Sequence, residues 1–494
     1  MEHLNGPCRT AWLSRPLTVL WVGLAVLALG ACGTETAKPP RKPNILWIVA
    51  EDLGPELGSY GHPEVHTPHL DGLAAEGVRY TRAFTVVPVC SPSRSAFMTG
   101  MHAITIDAHN HRSHRGVGEN PLPEGVRLLT HWLKDAGYYT INVRDPESGI
   151  GGSGKNDFNF SFPGEAYDSS RWDDLEAHQP FYAQINYSTT HRMGRRPNAG
   201  SRIPRPADPS LVQIPPYYPD HPVTRQDWAE YLNTIMELDG QVGAVLARLE
   251  ADGLTENTIV VFIGDHGRTM VRGKQWPYDS GLHIPMIVRW PAAFPAPPQI
   301  SPGRVDDRLI SALDLTATTL WAAGVERPEK MHGHTFLGPD AVDNEYVFGA
   351  RDRCDLTMMR IRTVRTSKYR YIRNFMPERP FTSPNVYKEK MYPVLGLMKQ
   401  LHAEGGLTPP QAALMAPRRP AEELYDLDAD PHEIHNLADS EDPEHQRVKT
   451  ELAAVLERWI EDAADHGRTP EPPELLEEIH RQSEVFWAEW EQPQ

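Results

Sequence analysis

Two acidic pairs and one cysteine segment are the residues best placed to do chemistry. Glu51-Asp52 follows the apolar run Asn44-Ile45-Leu46-Trp47-Ile48-Val49-Ala50, and Asp265-His266 follows Thr258-Ile259-Val260-Val261-Phe262-Ile263-Gly264. Carboxylates gathered with few neutral ligands select a hard cation such as calcium or magnesium. A dication there can orient a nucleophile, favour its deprotonation and stabilise the oxygens of an anionic group. Between the pairs in sequence stands Cys90-Ser91-Pro92-Ser93-Arg94, followed by Thr99-Gly100. Taken alone, each acidic pair reads as a solvated strand end, and Cys90 as a structural cysteine beside a turn. Their placement around one another favours a site. Ala108-His109-Asn110-His111-Arg112-Ser113-His114-Arg115, just after the cysteine, is dense in imidazole and guanidinium. It suits an anionic ligand or a solvated loop equally.

The elements that would position these groups are legible from periodicity. Continuous apolar runs such as 44–50 and 258–263 mark strands buried on both faces. Phe181–Tyr187 and Ile284–Trp290 read the same way. Across 228–250, Leu232, Ile235, Met236, Val242, Val245, Leu246 and Leu249 recur at helical spacing, and Gly253 follows as a stop. Strands alternating with helices predict an α/β fold with a large, mostly parallel sheet covered on both faces. Ligands of such sheets sit beyond the carboxyl ends of the strands, where both acidic pairs fall. From about residue 345 the texture changes to short runs, Met358–Val364 and Tyr369–Asn374, and an amphipathic helix near 445–463. This predicts a smaller C-terminal domain with an antiparallel sheet.

The 494 residues, 40% hydrophobic and 23% charged, exceed one ordinary core and predict a large domain plus a smaller one. A formal net charge of -17 weighs against nucleic-acid binding but permits a local basic pocket. Of four cysteines, Cys8 and Cys32 fall in the leader, so Cys90 and Cys354 leave room for one disulfide at most. The leader has Arg9, Arg15, the apolar run Leu17–Leu29 and then Leu29-Gly30-Ala31-Cys32. A short apolar run with basic flanks is an export signal, too short for a comfortable membrane span. Its end resembles a bacterial lipobox, whose cysteine is lipidated; a plain cleaved signal or an uncleaved anchor is the alternative. The expected layout is a lipoprotein signal peptide over 1–31, a tether over 32–42, a catalytic domain over 43–344 and a C-terminal α+β subdomain over 345–494. Localisation would be exported and membrane-anchored, in the periplasm or at the cell surface.

The segment from Cys90 to Gly100 resembles the signature of the type I, formylglycine-dependent sulfatases at all six of its fixed positions. A chance match in a chain of this length is below about one in ten thousand. The resemblance runs over about 43–465, and includes the C-terminal segment Glu423-Leu424-Tyr425-Asp426-Leu427-Asp428-Ala429-Asp430-Pro431. Segments 108–115 and Arg351-Asp352-Arg353-Cys354-Asp355 resemble those of bacterial members related to heparan N-sulfatases (N-sulfoglucosamine sulfohydrolase-like). It implies an alkaline-phosphatase-like α/β sandwich and a formylglycine-generating system that oxidises Cys90. The aldehyde hydrates to a geminal diol: one hydroxyl takes sulfate covalently, and the other's proton loss expels it. Arg94 would hold the diol. One calcium ion would be bound by Glu51, Asp52, Asp265 and His266 with the converted Cys90.

Three further residues carry over by resemblance. Lys155, in Gly154-Lys155-Asn156-Asp157, and Lys274 match sulfate-binding lysines, and His191 matches a histidine near the leaving group. Two departures stand out. Glu51 replaces the commoner aspartate, and Asp157 replaces a histidine that handles protons. The expected activity is hydrolysis of a sulfate ester or sulfamate, with a sulfated glycan such as N-sulfoglucosamine as substrate. The rivals are a broad arylsulfatase, a phosphoester or phosphonate hydrolase of the same superfamily, and a sulfoglycan-binding lipoprotein without turnover.

Overall fold

In the computed structural model, residues 42–114, 119–144, 152–194 and 203–490 are described. The leader with Cys32, the tether up to residue 41, and Arg115 lie outside them. Strands β1 (Asn44–Ala50), β2 (Val78–Phe84), β3 (Tyr139–Val143), β4 (Phe181–Tyr187), β5 (Thr258–Gly264), β6 (His283–Arg289), β7 (Arg304–Asp306) and β8 (Ile310–Ser311) form one sheet. Its order is β3-β4-β1-β5-β6-β2-β7, with β8 also on β2. The β3–β4, β4–β1, β1–β5, β2–β7 and β2–β8 pairs are parallel. The run around 284–290 is a strand as expected, but β6 lies antiparallel to both β5 and β2. Between β5 and β6 the chain forms loops and one short helix rather than a long crossover helix.

The double-sided burial that the sequence suggested has a simple origin. Alternate side chains of a strand point to opposite faces. In β1, Leu46, Ile48 and Ala50 join one core, while Ile45, Trp47 and Val49 join the other. β5 divides likewise, with Val260 and Phe262 on the first face and Ile259, Val261 and Ile263 on the second. Helices cover both faces: α1 (Pro68–Glu76), α2 (Cys90–Thr99), α3 (Leu129–Asp135), α4 (Pro222–Ala251), the short α5 (Asp279–Leu282) and α6 (Ala312–Ala322). α4 and α1 supply the first core; α2, α3 and α6 supply the second. α4 starts earlier than its apolar stripe, because Pro222 suits the first helical turn and His221 caps it by accepting from the Val223 N–H.

Strands β9 (Val347–Arg351), β10 (Ile361–Arg365), β11 (Tyr369–Asn374) and β12 (Glu422–Asp426) form a separate antiparallel sheet in order β12-β11-β10-β9. α7 (Val386–Met391), α8 (Pro393–Ala403) and α9 (Pro409–Ala413) intervene, and α10 (Pro443–Asp462) and α11 (Pro473–Trp490) follow. α10 is the expected amphipathic helix. Its Val448, Leu452, Val455, Leu456, Trp459 and Ile460 pack on Ala350, Val364, Tyr371 and Leu424 of the sheet. Polar contacts join the antiparallel sheet to the start of α5, ahead of β6: Tyr278 Oη donates to Glu423 at 2.9 Å, and Arg365 Nε to Asp279 at 3.1 Å. Glu423, at the start of the Glu423–Pro431 segment, is thereby tied to the loop ahead of α5. Cys90 and Cys354 are both free and buried, and burial pushes the Cys354 thiol up to about 11. No helix among the described residues is long and apolar enough to cross a membrane.

Candidate active site

β1 and β5 are neighbours in register, Ala50 beside Gly264, so the acidic pairs that follow them emerge side by side. Gly264 permits this closeness. A Cβ there would lie 2.5 Å from the Leu53 carbonyl oxygen. Asp52 adopts a left-handed backbone, φ 55°, a conformation that aspartate tolerates better than most residues and that recurs at functional sites. Its N–H donates to Asp265 Oδ1 at 2.9 Å. His266 Nε2 lies 2.9 Å from Asp52 Oδ1 and 3.6 Å from Asp265 Oδ1.

The cysteine segment becomes α2, with Cys90 as its first residue, where the helix dipole favours negative charge. Pro92 falls in the first turn, where no backbone bond is lost. Ser93 donates to the Asp265 carbonyl, which docks the helix on the end of β5. Arg94 donates to Asp265 Oδ2 from Nε at 3.1 Å and pairs with it through a second nitrogen at 3.0 Å. Its remaining nitrogen bonds Asn186 Oδ1. Gly100 ends the helix with φ 69°, its N–H returning to the Ala96 carbonyl at 2.8 Å. The signature positions therefore serve the architecture of the site as well as its chemistry.

Asp52, Cys90 and His266 bring one ligand atom each within 4.8 Å of one another, all buried. Burial alone would depress the His266 imidazole, but Asp265 and Asp52 outweigh it and push it up to about 10. A place that draws a proton so strongly suits a cation. Asp265 flanks this cluster through His266 at 3.6 Å, whereas Glu51 turns to Lys155 at 2.9 Å; with their carboxylates added, the oxygen-rich donor set would suit a hard cation.

Each of the expected cations finds an acid. Lys274 Nζ sits 2.8 and 2.9 Å from the two Asp52 oxygens and 3.2 Å from His191 Nε2. Lys155 Nζ lies 2.9 Å from Glu51 Oε2 and 3.3 Å from Asp157 Oδ2. So the aspartate in place of the usual histidine lies beside the neighbouring lysine. Burial would raise the Cys90 thiol, yet Lys155, Lys274 and hydrogen bonds with His111 and His191 hold it well below the ordinary thiol range. The pocket thus favours an anion at that side chain. For the reaction considered below, the sulfur stands where a hydrate oxygen would be.

A cavity of about 230 Å³ opens from Cys90, lined by His191, Lys274, His111 and Arg112 among others. Arg94 and Lys155 are not among its lining residues. His111 is a residue that spacing did not single out. Its Nδ1 lies 3.0 Å from Asp355 Oδ1, and its N–H donates to the Arg353 carbonyl at 2.9 Å. Arg353 in turn donates to the His111 carbonyl at 3.0 Å. Segments 108–114 and 351–355 are therefore locked together, and through His111 the first reaches the Cys90 side chain rather than being a solvated loop. Their shared resemblance to one group of sulfatases was the signal that could have joined them.

The sulfatase family profile matches residues 43–325. An ulvan-active sulfatase of Formosa agariphila is 36% identical over 487 residues, covering 90% of this chain and 78% of that one. The chain belongs to the sulfatase family. Human N-sulphoglucosamine sulphohydrolase is 28% identical to this sulfatase, with 88% of this chain and 92% of the human one covered. Among solved structures, a 2-O GAG sulfatase superposes with a TM-score of 0.60 at 23% identity, covering 88% of this chain and 96% of that one. The sulfatase thus has the alkaline-phosphatase-like fold that the resemblance implied, and it is a sulfuric ester hydrolase by family.

Proposed function

We propose that this sulfatase hydrolyses the sulfate ester or sulfamate of a small sulfated saccharide, with converted Cys90 as nucleophile and one bound calcium ion. The observation that carries the reading is Cys90 itself, first in α2, between the buried carboxylates on one side and a cationic cavity on the other. The named activities of the ulvan-active and N-sulphoglucosamine relatives support a sulfated sugar.

Formylglycine would supply a hydrated aldehyde that can take sulfate and let it go, a chemistry no ordinary side chain offers. Asp52, Asp265, His266 and Glu51 would hold calcium, which neutralises charge on the sulfate oxygens. Glu51, one methylene longer than the usual aspartate, reaches toward the Lys155 side of the cluster. Lys274 and Arg112 face the cavity and bind the anion. Arg94 holds Asp265 in place. His111, braced by Asp355, contacts the Cys90 side chain and is placed to move a proton there, the task for which Asp157 is unsuited.

An amine leaves far less readily than a phenol, so a sulfamate needs a proton delivered to nitrogen as the bond breaks. His191, at the cavity wall, is placed to deliver it. His191→Ala should lower sulfamate hydrolysis by about 100-fold or more, while hydrolysis of an activated aryl sulfate falls far less. Equal losses on both would remove His191 from that role.

Paired aryl sulfate and aryl phosphate test the reading against a phosphoesterase, because tetrahedral phosphorus fits the same groups. Faster phosphate release would reverse the assignment. Peptide mass at Cys90 separates an enzyme from a binding protein: an unconverted thiol in protein from the native host would leave no nucleophile. Export as a lipoprotein rests on the Leu29–Cys32 segment. Multiple acyl chains anchor stably, so Cys32→Ser should move the protein from the membrane fraction to the soluble one; unchanged partition would exclude lipidation there.

A further inference from the structure

The cavity that opens from Cys90 has two chemically distinct ends. The inner end is cationic. The outer end is built by α11, the last helix, which reaches the site from more than 370 residues further along the chain. Its Ile479, Gln482, Ser483, Phe486 and Trp487 recur every three or four residues, so they form one helical stripe, and all of them line the cavity. The helix is tethered at its start. Glu471 makes a two-pronged pair with Arg353, at 2.5 and 2.9 Å, with both side chains buried. Arg353 is the same residue that clamps the His111 backbone. Leu475 and Ile479 are buried in the following turns.

Beyond them the apolar residues emerge. Phe486 is 38% and Trp490 42% exposed. A cluster of large exposed rings is unfavourable in water unless something covers it. Here the rings continue a track that begins at the reaction centre. His191 lies 6.4 Å from Tyr387, Tyr387 6.4 Å from Trp487, and Trp487 5.6 Å from Trp490 and 5.2 Å from Phe486, centroid to centroid. Tyr387 also stands 5.3 Å from the Lys274 ammonium. The track thus joins the cationic end to the aromatic wall.

We infer that Phe486 and Trp487 of α11 form a platform on which the sugar ring of the substrate stacks while its sulfate occupies the cationic end. This rests on the saccharide sulfatase reading above. A pyranose ring has an apolar C–H face and a polar rim. Flat rings suit the face, and Gln482 and Ser483 beside them suit the rim. The volume, about 230 Å³, lies below the roughly 300–1,000 Å³ typical of pockets for drug-sized ligands. That volume suits one sulfated sugar ring, with any further residues of a chain leaving by the open end beside α11.

The test uses full-length, converted enzyme with glucosamine N-sulfate as substrate and inorganic sulfate as competitive inhibitor. Trp487→Ala should raise KM for the sugar about tenfold, and adding Phe486→Ala should raise it further. Inhibition by inorganic sulfate, which reaches only the cationic end, should stay within about twofold. Trp487→Phe keeps a flat ring and should restore most of the loss. An unchanged KM in the double variant overturns the platform. So does a parallel loss of sulfate inhibition, which would mean that α11 merely supports the fold. Calorimetric binding of the same sugar to wild type and Trp487→Ala needs no turnover. Wild type that binds the sugar through Trp487 without cleaving it would refute the substrate reading and leave the platform standing. Wild type that does not bind it would remove both.

Discussion

Replacing Cys90 by alanine should lower turnover on the order of 10⁴-fold or more, because removing a covalent nucleophile costs more than removing any group that assists it. The fold should survive. Cys90 contributes a small buried side chain to a cluster with Val86, Val87, Val89 and Ala96, and alanine keeps most of that volume. An unfolding midpoint within a few degrees of wild type would confirm that lost activity is lost chemistry; the loss expected from one small buried group is on the order of 1 kcal/mol. Cys90→Ser is the informative companion. A serine could accept sulfate but has no second hydroxyl with which to expel it, so at most one turnover per chain is expected. An active Cys90→Ala protein would sink the nucleophile assignment and the reaction proposed with it.

Asp265→Asn is expected to have the second largest effect, and it acts through two routes. The carboxylate is completely buried, takes the Asp52 N–H on one oxygen and pairs with Arg94 on the other. Removing its charge weakens a cation site that depends on charge. Changing a residue that only supports a metal ligand costs roughly 10–100-fold, and changing a ligand should cost at least that. The same change strands the Arg94 guanidinium, itself buried, without its counter-ion. Breaking a buried pair in this way costs about 3–5 kcal/mol. Activity, metal content and thermal stability should therefore fall together. The measurement is bound metal per folded chain, by elemental analysis of the folded fraction. Stoichiometric zinc or iron in the active wild type would reject a hard-cation site, and active enzyme without metal would reject it more thoroughly.

How much of this could be read from the chain alone differs from element to element, for physical reasons. β1, β4 and β5 were legible because central strands of a doubly covered sheet must be apolar on both faces, which leaves continuous runs. The neighbouring placement of Glu51-Asp52 and Asp265-His266 followed from where those runs stop. α4 and α10 announced themselves by helical spacing. β6 was legible as a strand but not in its direction, because apolar content is the same for parallel and antiparallel neighbours. β10 starts at Ile361, later than the apolar run that begins at Met358, since hydrophobicity marks burial rather than pairing.

The site was legible where it is local and hidden where it is not. Cys90 to Gly100 is a continuous helix, and its residue types fit the positions they hold. His111 meeting Asp355, by contrast, joins residues more than 240 positions apart through a buried imidazole and a half-buried carboxylate. No periodicity records such a contact. α11 was missed for a related reason: its stripe of Leu475, Ile479 and Trp487 marks an amphipathic helix, but not the surface that the helix will cover.

All ten residues of α2 are buried, and Cys90 is 1% exposed. Helix, strand ends and the segment around His111 enclose it on every side but that of the cavity. On the reading proposed above, an enzyme that oxidises this cysteine would have to reach the 90–100 stretch as accessible, extended chain, which the folded α2 does not offer. Maturation would then be a race between a catalyst and folding, run once for each newly made chain. A molecule that folded first would keep its thiol, structurally sound and inert. The specific activity of a preparation would then record how synthesis was timed, a history that no later treatment of the folded protein could rewrite.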